Sequence, residues 1–147
     1  MIVSGIEAPL KRKKPAKEFY SSWIFEAFDR DPGFYQKRMF GCLAAYFRGR
    51  LVMALAEDPG EKSYRGKRYS RDLWDGVLLP TQKEFHGALK EQFPFLIEHP
   101  VLSKWLYLPA RDENFESGAR EIARLIAQGD PRLGVDPLLR KTRKRTS

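Results

Sequence analysis

The sequence predicts an α+β fold, in which a small, mainly antiparallel sheet is built on a central β-hairpin at about 37–55 and helices pack against it. Two apolar, aromatic-rich runs, 39–47 and 51–55, flank the short polar segment 48–50, which is the pattern of a tight hairpin. Helical periodicity and two further short strand-like runs lie outside this hairpin. The predicted order is helix, hairpin, strand, helix, strand, helix, which is an α+β order.

A first helix is predicted at about 18–30, because its apolar residues fall on one wide helical face. These residues are Phe19, Tyr20, Trp23, Ile24, Ala27 and Phe28. Asp31, Pro32 and Gly33 end the helix, since proline disfavours helical geometry in the residue before it and glycine allows the chain to reverse. The aromatic stripe is interpreted as core.

The hairpin that follows is expected to be a core element. Gly49 can adopt the positive φ that a short turn usually requires, and Arg48 and Arg50 keep the turn in water. Neither strand alternates cleanly between apolar and polar residues. Both faces of the sheet should therefore be covered, one by helices and the other by further chain.

The second half of the chain predicts two strands and two helices. A strand at 73–79 is ended by Pro80, and Thr81 and Glu84 match a capping box at the start of a helix. The residues of that helix expected to face inward are Phe85, Ala88, Leu89 and Phe93. An aromatic strand is predicted at 104–108 and a last helix at about 114–128. The buried stripe of the last helix is Phe115, Ala119, Ile122, Ala123 and Ile126.

The net charge of +8 lies at the two ends of the chain. We divide the chain into a flexible basic arm at 1–17, one domain at 18–135 and a basic tail at 136–147. The arm and the tail each hold five cations and one carboxylate, whereas the domain holds 17 of each. The cations of the tail are Arg140, Lys141, Arg143, Lys144 and Arg145. Such ends give either weak, salt-sensitive attraction to nucleic acid or only solubility.

A loop at 56–72 is the best candidate for a binding surface within the domain. Its cations alternate with two tyrosines, and aromatic rings can stack on bases while cations hold phosphates. The candidate nucleic-acid-binding residues are Lys62, Tyr64, Arg65, Lys67, Arg68, Tyr69 and Arg71. The alternatives are an exposed loop that is basic without function, or a strand that the pattern does not resolve.

No catalytic, cofactor-binding or metal site is predicted, and we do not expect an enzyme. The chain has two histidines and one cysteine, and their spacing makes no metal pair. His86 is expected at the surface, exposed or hydrogen-bonded; His99 is expected to be structural, and Cys42 a buried hydrophobe. A single cysteine, the lack of an apolar leader and the lack of a membrane-spanning run predict a cytoplasmic protein without membrane association.

The segment Lys37, Arg38, Met39, Phe40 and Gly41 carries a family resemblance. With Leu43, Ala44, Tyr46 and the turn at 48–50 behind it, it resembles the N-terminal domain of TfoX-type proteins, the competence-regulator family. In that family a Lys/Arg-Met-Phe-Gly-Gly stretch opens such a hairpin, and Cys42 stands here in place of the usual second glycine. The resemblance implies a YjbR-like α+β fold and a non-enzymatic, regulatory or protein-interaction role.

The residues of this motif also have a physical interpretation. Gly41 on a strand would permit close approach of another chain, and Met39 and Phe40 would pack on opposite faces of the sheet. Arg38 would bind a carboxylate within the domain or point outward towards a ligand.

Three functions are compatible with the sequence. The first is a non-catalytic interaction module with weak, salt-dependent nucleic-acid binding through the tails and the 62–71 loop. The second is a protein-binding adaptor without a nucleic-acid role, and the third is a small-ligand carrier or enzyme. The sequence is compatible with a monomer or a homodimer, and it implies no cofactor.

Overall fold

The computed structural model describes residues 19–39, 41–57, 62–64, 67–69 and 74–137. The described part begins with a 3₁₀ helix, which is followed by three long strands and two very short ones, and then by three further strands and two α-helices. The elements are the 3₁₀ helix Tyr20–Ala27, β1 Phe34–Met39, β2 Cys42–Phe47, β3 Arg50–Ala56, β4 Lys62–Tyr64, β5 Lys67–Tyr69, β6 Gly76–Pro80, a 3₁₀ turn Lys83–Phe85, α1 His86–Gln92, β7 Ile97–Glu98, β8 Trp105–Pro109 and α2 Phe115–Ala127.

Six of the strands form one antiparallel sheet in the order β1-β2-β3-β6-β8-β7, which confirms the predicted α+β class. Strands β4 and β5 form a separate two-stranded sheet and, among the residues that the structure describes, pair with each other alone. None of the helices in the described part of the chain has the length and apolar character needed to cross a membrane.

The predicted hairpin is formed by β2 and β3. Its turn is at Arg48 and Gly49, which have φ values of 51° and 83° and so use the left-handed conformation that glycine adopts readily. The first strand is shorter than predicted. Residues 37–39 belong to β1, and Gly41, at φ 81°, lies in the turn between β1 and β2. The prediction of Gly41 on a strand is therefore wrong, and Phe40 lies outside the described residues.

Both faces of the sheet are covered, as predicted. On one face, side chains of β2, β3, β6 and β8 pack against the 3₁₀ helix, α1 and α2 in a single core that contains Phe25, Leu89 and Ile122. On the other face, a smaller core is closed by side chains of the connecting segments, Trp74, Val101, Leu102 and Val135 among them. The helices thus occupy one face and irregular chain the other.

The first helix differs from the prediction in its type and in its buried side. It is a 3₁₀ helix, with three residues per turn, so Phe19, Phe25 and Phe28 align on one side and are buried. Tyr20 is 90% exposed and Ala27 is also exposed, although an α-helical period placed both in the core. The change of period from 3.6 to 3.0 separates Tyr20 from the buried phenylalanines, whereas Ala27 is exposed at the last residue of the helix.

The predicted capping box does not form. The Thr81 hydroxyl donates to the Arg132 carbonyl oxygen at 2.6 Å, and neither the 3₁₀ turn at Lys83–Phe85 nor α1 has a side-chain cap. In α1, His86 and Leu89 are buried and Ala88 is exposed, so the predicted inward position of Ala88 is wrong.

The last helix agrees with the prediction. It spans Phe115–Ala127, and its buried side contains the four small or branched residues of the predicted stripe, with Phe115 partly buried. Gly129, at φ 83°, follows the end of the helix.

Candidate nucleic-acid interface

Part of the predicted binding set lies outside the described residues. This holds for Arg65 and Arg71 and for the tail cations Arg140, Lys141, Arg143, Lys144 and Arg145. The remaining predicted binding residues are on β4 and β5. The register of these strands places Lys62 opposite Tyr69, Ser63 opposite Arg68 and Tyr64 opposite Lys67. The segment interpreted as a loop therefore contains two short paired strands, and a strand was one of the open alternatives.

A second cationic and aromatic surface lies on β1, the outermost strand of the large sheet. Within the described residues β1 pairs only with β2, and four consecutive side chains on it are exposed. These are Tyr35, Gln36, Lys37 and Arg38. We call Tyr35, Lys37 and Arg38, together with Tyr46 beneath them on β2, the β1 surface.

The two tyrosines of the β1 surface stack on each other across the strands. Tyr35 is opposite Tyr46 in the register, and their rings are parallel to within 2° with centroids 4.6 Å apart. Tyr46 is buried in the smaller core at 7% exposure, whereas Tyr35 is 53% exposed. Because Tyr46 covers one face of the Tyr35 ring, the exposed area of Tyr35 includes its other face. In this pair the Tyr46 ring is buried and fixed, and the Tyr35 ring keeps one face open to solvent.

The two cations of the β1 surface lie against aromatic rings on opposite faces of the sheet. The Lys37 Nζ is 5.8 Å from the centroid of the Tyr46 ring, on the same face as Tyr35. The Arg38 guanidinium is 5.3 Å from the centroid of the Phe19 ring, at the start of the 3₁₀ helix. Arg38 is exposed at this position, and both alternatives for it stay predictions.

Charge is unevenly distributed within the domain. Residues 34–56 contain four cations and no aspartate or glutamate, whereas residues 74–135 contain seven cations and nine carboxylates. The four cations are Lys37, Arg38, Arg48 and Arg50. The net charge of residues 18–135 is zero, and this total hides the uneven distribution. Counting the charges of each segment separately would have found it in the sequence.

Arg48 and Arg50 make contacts that stabilise the fold. Arg48 pairs with Asp31 at 2.6 Å, and this hydrogen bond, with a second from the Gly33 N–H, holds the pKa of the Asp31 carboxyl below its ordinary value. Arg50 donates to carbonyl oxygens in the 131–134 segment and so ties β3 to the chain after α2. Lys37 and Arg38 are exposed on β1, and we assign them to the β1 surface because of this position.

A cleft of about 540 Å³ lies beside the start of the 3₁₀ helix. Its lining includes Tyr20, Ser21, Glu57 and Asp75. The buried Glu57 carboxylate accepts the backbone N–H groups of Tyr20 and Ser21, each at 2.7 Å, and so fixes the helix start to the end of β3. The charged side chains of this cleft, Glu57 and Asp75, are both acidic, so it does not suit a polyanion.

Replacement of Glu57 tests this structural role. Glu57→Gln retains an acceptor for one N–H and loses the charge, so we expect a loss of about 1.5–3 kcal/mol in the free energy of unfolding. Urea denaturation measures it. Glu84→Gln, on an exposed residue of the 3₁₀ turn, is the control and should stay within about 0.5 kcal/mol of the parent. Equal losses in the two variants would contradict the anchoring role of Glu57.

The residues considered for catalysis are held within the fold. His86 is 4% exposed, so its predicted surface position is wrong; Nδ1 lies 2.9 Å from Glu98 Oε2 and Nε2 donates to the Lys104 carbonyl oxygen at 3.0 Å. His99 Nδ1 accepts two backbone N–H groups, and Cys42 is buried, as predicted. In the described ranges no three His, Cys, Asp or Glu side chains are grouped so that they could hold a metal ion.

Comparison with known proteins gives no relative. No family model matches the chain, and neither the search of curated proteins nor that of solved structures finds a match.

Proposed function

We propose that this chain is a non-catalytic, TfoX-N-like module that attaches to nucleic acid through its basic segments. The main support for the proposal is that residues 34–56 carry cations and no carboxylate. Within this segment the β1 surface presents Lys37 and Arg38 beside the exposed Tyr35. Cations on a folded element beside an aromatic ring are typical of surfaces that hold phosphates and bases together.

The basic ends add to this surface. The arm and the tail contribute five cations each, and each phosphate neutralised releases condensed counterions from the nucleic acid. Binding of this kind is sequence-independent and falls steeply with salt. We therefore propose that the chain attaches to nucleic acid weakly and in a salt-dependent way. The β1 surface orients the domain on the nucleic acid.

Charge substitutions in the full chain test this function. Binding of a short labelled DNA duplex is measured by fluorescence anisotropy at about 50 and 200 mM salt, and we expect the affinity of the parent to fall at least about tenfold between them. A variant with its five tail cations, from Arg140 to Arg145, changed to glutamine should bind more weakly and with a shallower salt dependence. Lys37→Gln combined with Arg38→Gln should lower the slope of log K against log salt by about 1–2.

A matched control carries the same loss of charge elsewhere. Lys83→Gln combined with Lys90→Gln removes two cations from the α1 region, which lies at the other end of the sheet order, beside β7 and β8. This variant should bind the duplex like the parent. Absence of binding at about 50 mM salt, or a loss in the control equal to that in the β1 variant, would contradict the proposed function.

The adaptor alternative predicts a large apolar patch on the sheet or around Trp74 and Trp105. Trp74 is 7% exposed and Trp105 is half-buried against the smaller core. The large exposed hydrophobic side chains in the described ranges are Tyr20, Tyr35 and Ile97, which lie on three separate elements. These exposed side chains do not include Trp74 or Trp105, so we favour the nucleic-acid function over the adaptor.

A further inference from the structure

We propose that the β1 surface is a stacking platform for an unpaired base, so that the module binds single-stranded nucleic acid in preference to duplex. This inference rests on the proposed function, which requires only attraction to phosphates. It adds a specific role for one side chain, Tyr35, and a preference for one form of nucleic acid.

The geometry of the tyrosine pair supports stacking. The Tyr35 ring is supported from below by Tyr46, parallel to within 2°, and Tyr46 is itself fixed in the smaller core. A ring held in this way loses little further freedom when a base stacks on its open face. Bases within a duplex have both faces covered by their neighbours, except at its two ends, so an unpaired base is the better stacking partner for the Tyr35 ring.

Lys37 supplies the second contact that a nucleotide needs. It lies two residues from Tyr35 on the same face of the strand, about 7 Å away along the chain, so its ammonium can reach a phosphate next to a base stacked on Tyr35. Arg38 is on the opposite face and adds positive charge at the strand edge. One aromatic ring and one cation on the same face can therefore contact both parts of a single nucleotide.

Two other occupants fit this surface less well. A second copy paired antiparallel along the full length of β1 would place Lys37 of each copy within two residues of Lys37 and Arg38 of the other on the new strand pair, where like charges repel. An acidic peptide added as a strand would use the backbone edge of β1 and the two cations, but it would leave the open Tyr35 ring without a role. The stacked pair with its accessible face is better explained by a nucleobase.

The test compares a labelled oligothymidine with a duplex of equal length, on the full chain, at about 50 mM salt. Tyr35→Ala is expected to weaken oligothymidine binding by about tenfold and to leave duplex binding within about twofold, because it removes the stacking partner and no charge. Tyr35→Phe keeps the ring and should bind like the parent. Tyr35→Leu keeps apolar bulk without a ring and should behave like Tyr35→Ala.

The matched control is Tyr20→Ala, which removes an equally large and more exposed tyrosine beside the acidic cleft. It should leave both affinities unchanged. Circular dichroism melting checks that each variant is folded. If Tyr35→Ala does not fold, the comparison of Tyr35→Phe with Tyr35→Leu still tests the role of the ring.

The outcomes separate this inference from the proposed function. If duplex and oligothymidine bind equally, or if Tyr35→Leu binds oligothymidine like the parent, the stacking platform is wrong and the charge-based function stands. Absence of binding to either probe would overturn both. If poly-glutamate displaces oligothymidine at equal charge concentration and Tyr35→Ala weakens both ligands alike, the surface recognises acidic chains in general and the preference for bases is wrong.

Discussion

Gly76→Ala is expected to lower the free energy of unfolding by at least about 3 kcal/mol, the largest stability loss that we expect from a single methyl group in this protein. A Cβ at position 76 would lie 2.1 Å from the Leu108 carbonyl oxygen and 2.9 Å from two further backbone atoms of 109–110. Backbone atoms cannot rotate away as the end of a side chain can, so β6 must move away from β8.

That movement affects the middle of the sheet. Gly76 is opposite Pro109 at one end of the β6–β8 ladder and opposite Ala56 at the end of the β3–β6 ladder. Both ladders contribute side chains to the helix-facing core, where Val77 and Leu108 are at most 1% exposed. The methyl group therefore separates two strand pairs and loosens core packing as well as creating a steric clash.

Gly87→Ala is the matched control. Gly87 is exposed on α1, and a Cβ there would have no atom within 4 Å. The same chemical change should therefore stabilise the protein by about 0.5–1 kcal/mol, because alanine has the higher helix propensity. Urea denaturation of both variants measures the difference. A Gly76→Ala protein as stable as the parent would show that the close approach of β6 to β8 is not required.

The parts of the fold that the sequence predicted well are those fixed by local rules. The hairpin turn requires the left-handed conformation that Gly49 provides, and α2 buries a stripe with the period of an α-helix. Both signals lie within a few residues of the structure that they specify. The capping box at Thr81 had the same local form but failed, because the hydroxyl has a partner 51 residues away at Arg132.

Strand β1 was missed for a physical reason that also concerns function. An edge strand with four exposed side chains has no buried face, so it shows no alternation of apolar and polar residues. The exposure that hides β1 in the sequence is also what leaves Tyr35 and Lys37 accessible. The stacked tyrosines are eleven residues apart, and their contact depends on the β1–β2 register across the turn at Gly41.

His86→Ala is expected to have the second largest effect on stability. The ring is 4% exposed and links three segments, because it belongs to α1, contacts Glu98 on β7 and donates to the Lys104 carbonyl oxygen just before β8. Its removal leaves a cavity and a carbonyl oxygen without that donor. We expect a loss of about 2–4 kcal/mol in the free energy of unfolding, and His86→Gln, which keeps a donor, should lose less.

The pH dependence distinguishes this hydrogen bond from simple packing. The bond from His86, followed by the nearby charges of Lys90 and Lys83, lowers the pKa of Glu98 below its ordinary value of 4.5. A carboxyl with a lowered pKa in the folded state contributes stability that is complete above its unfolded pKa and is lost as the pH falls through its folded pKa. Glu98→Gln should therefore lose less stability than the parent when the pH is lowered below about 4.5.

Removal of His86 should reduce the same acid sensitivity, because the first cause of the lowered pKa of Glu98 is then gone. Urea denaturation at a series of pH values from about 3 to 6 measures it, with Glu91→Gln as the control, since Glu91 is an exposed carboxylate on the same helix. If His86→Ala were as acid-sensitive as the parent, the ring would stabilise the fold by its volume alone. A smaller acid-induced loss in both His86→Ala and Glu98→Gln would show that the hydrogen bond joining α1 to β7 carries part of the stability.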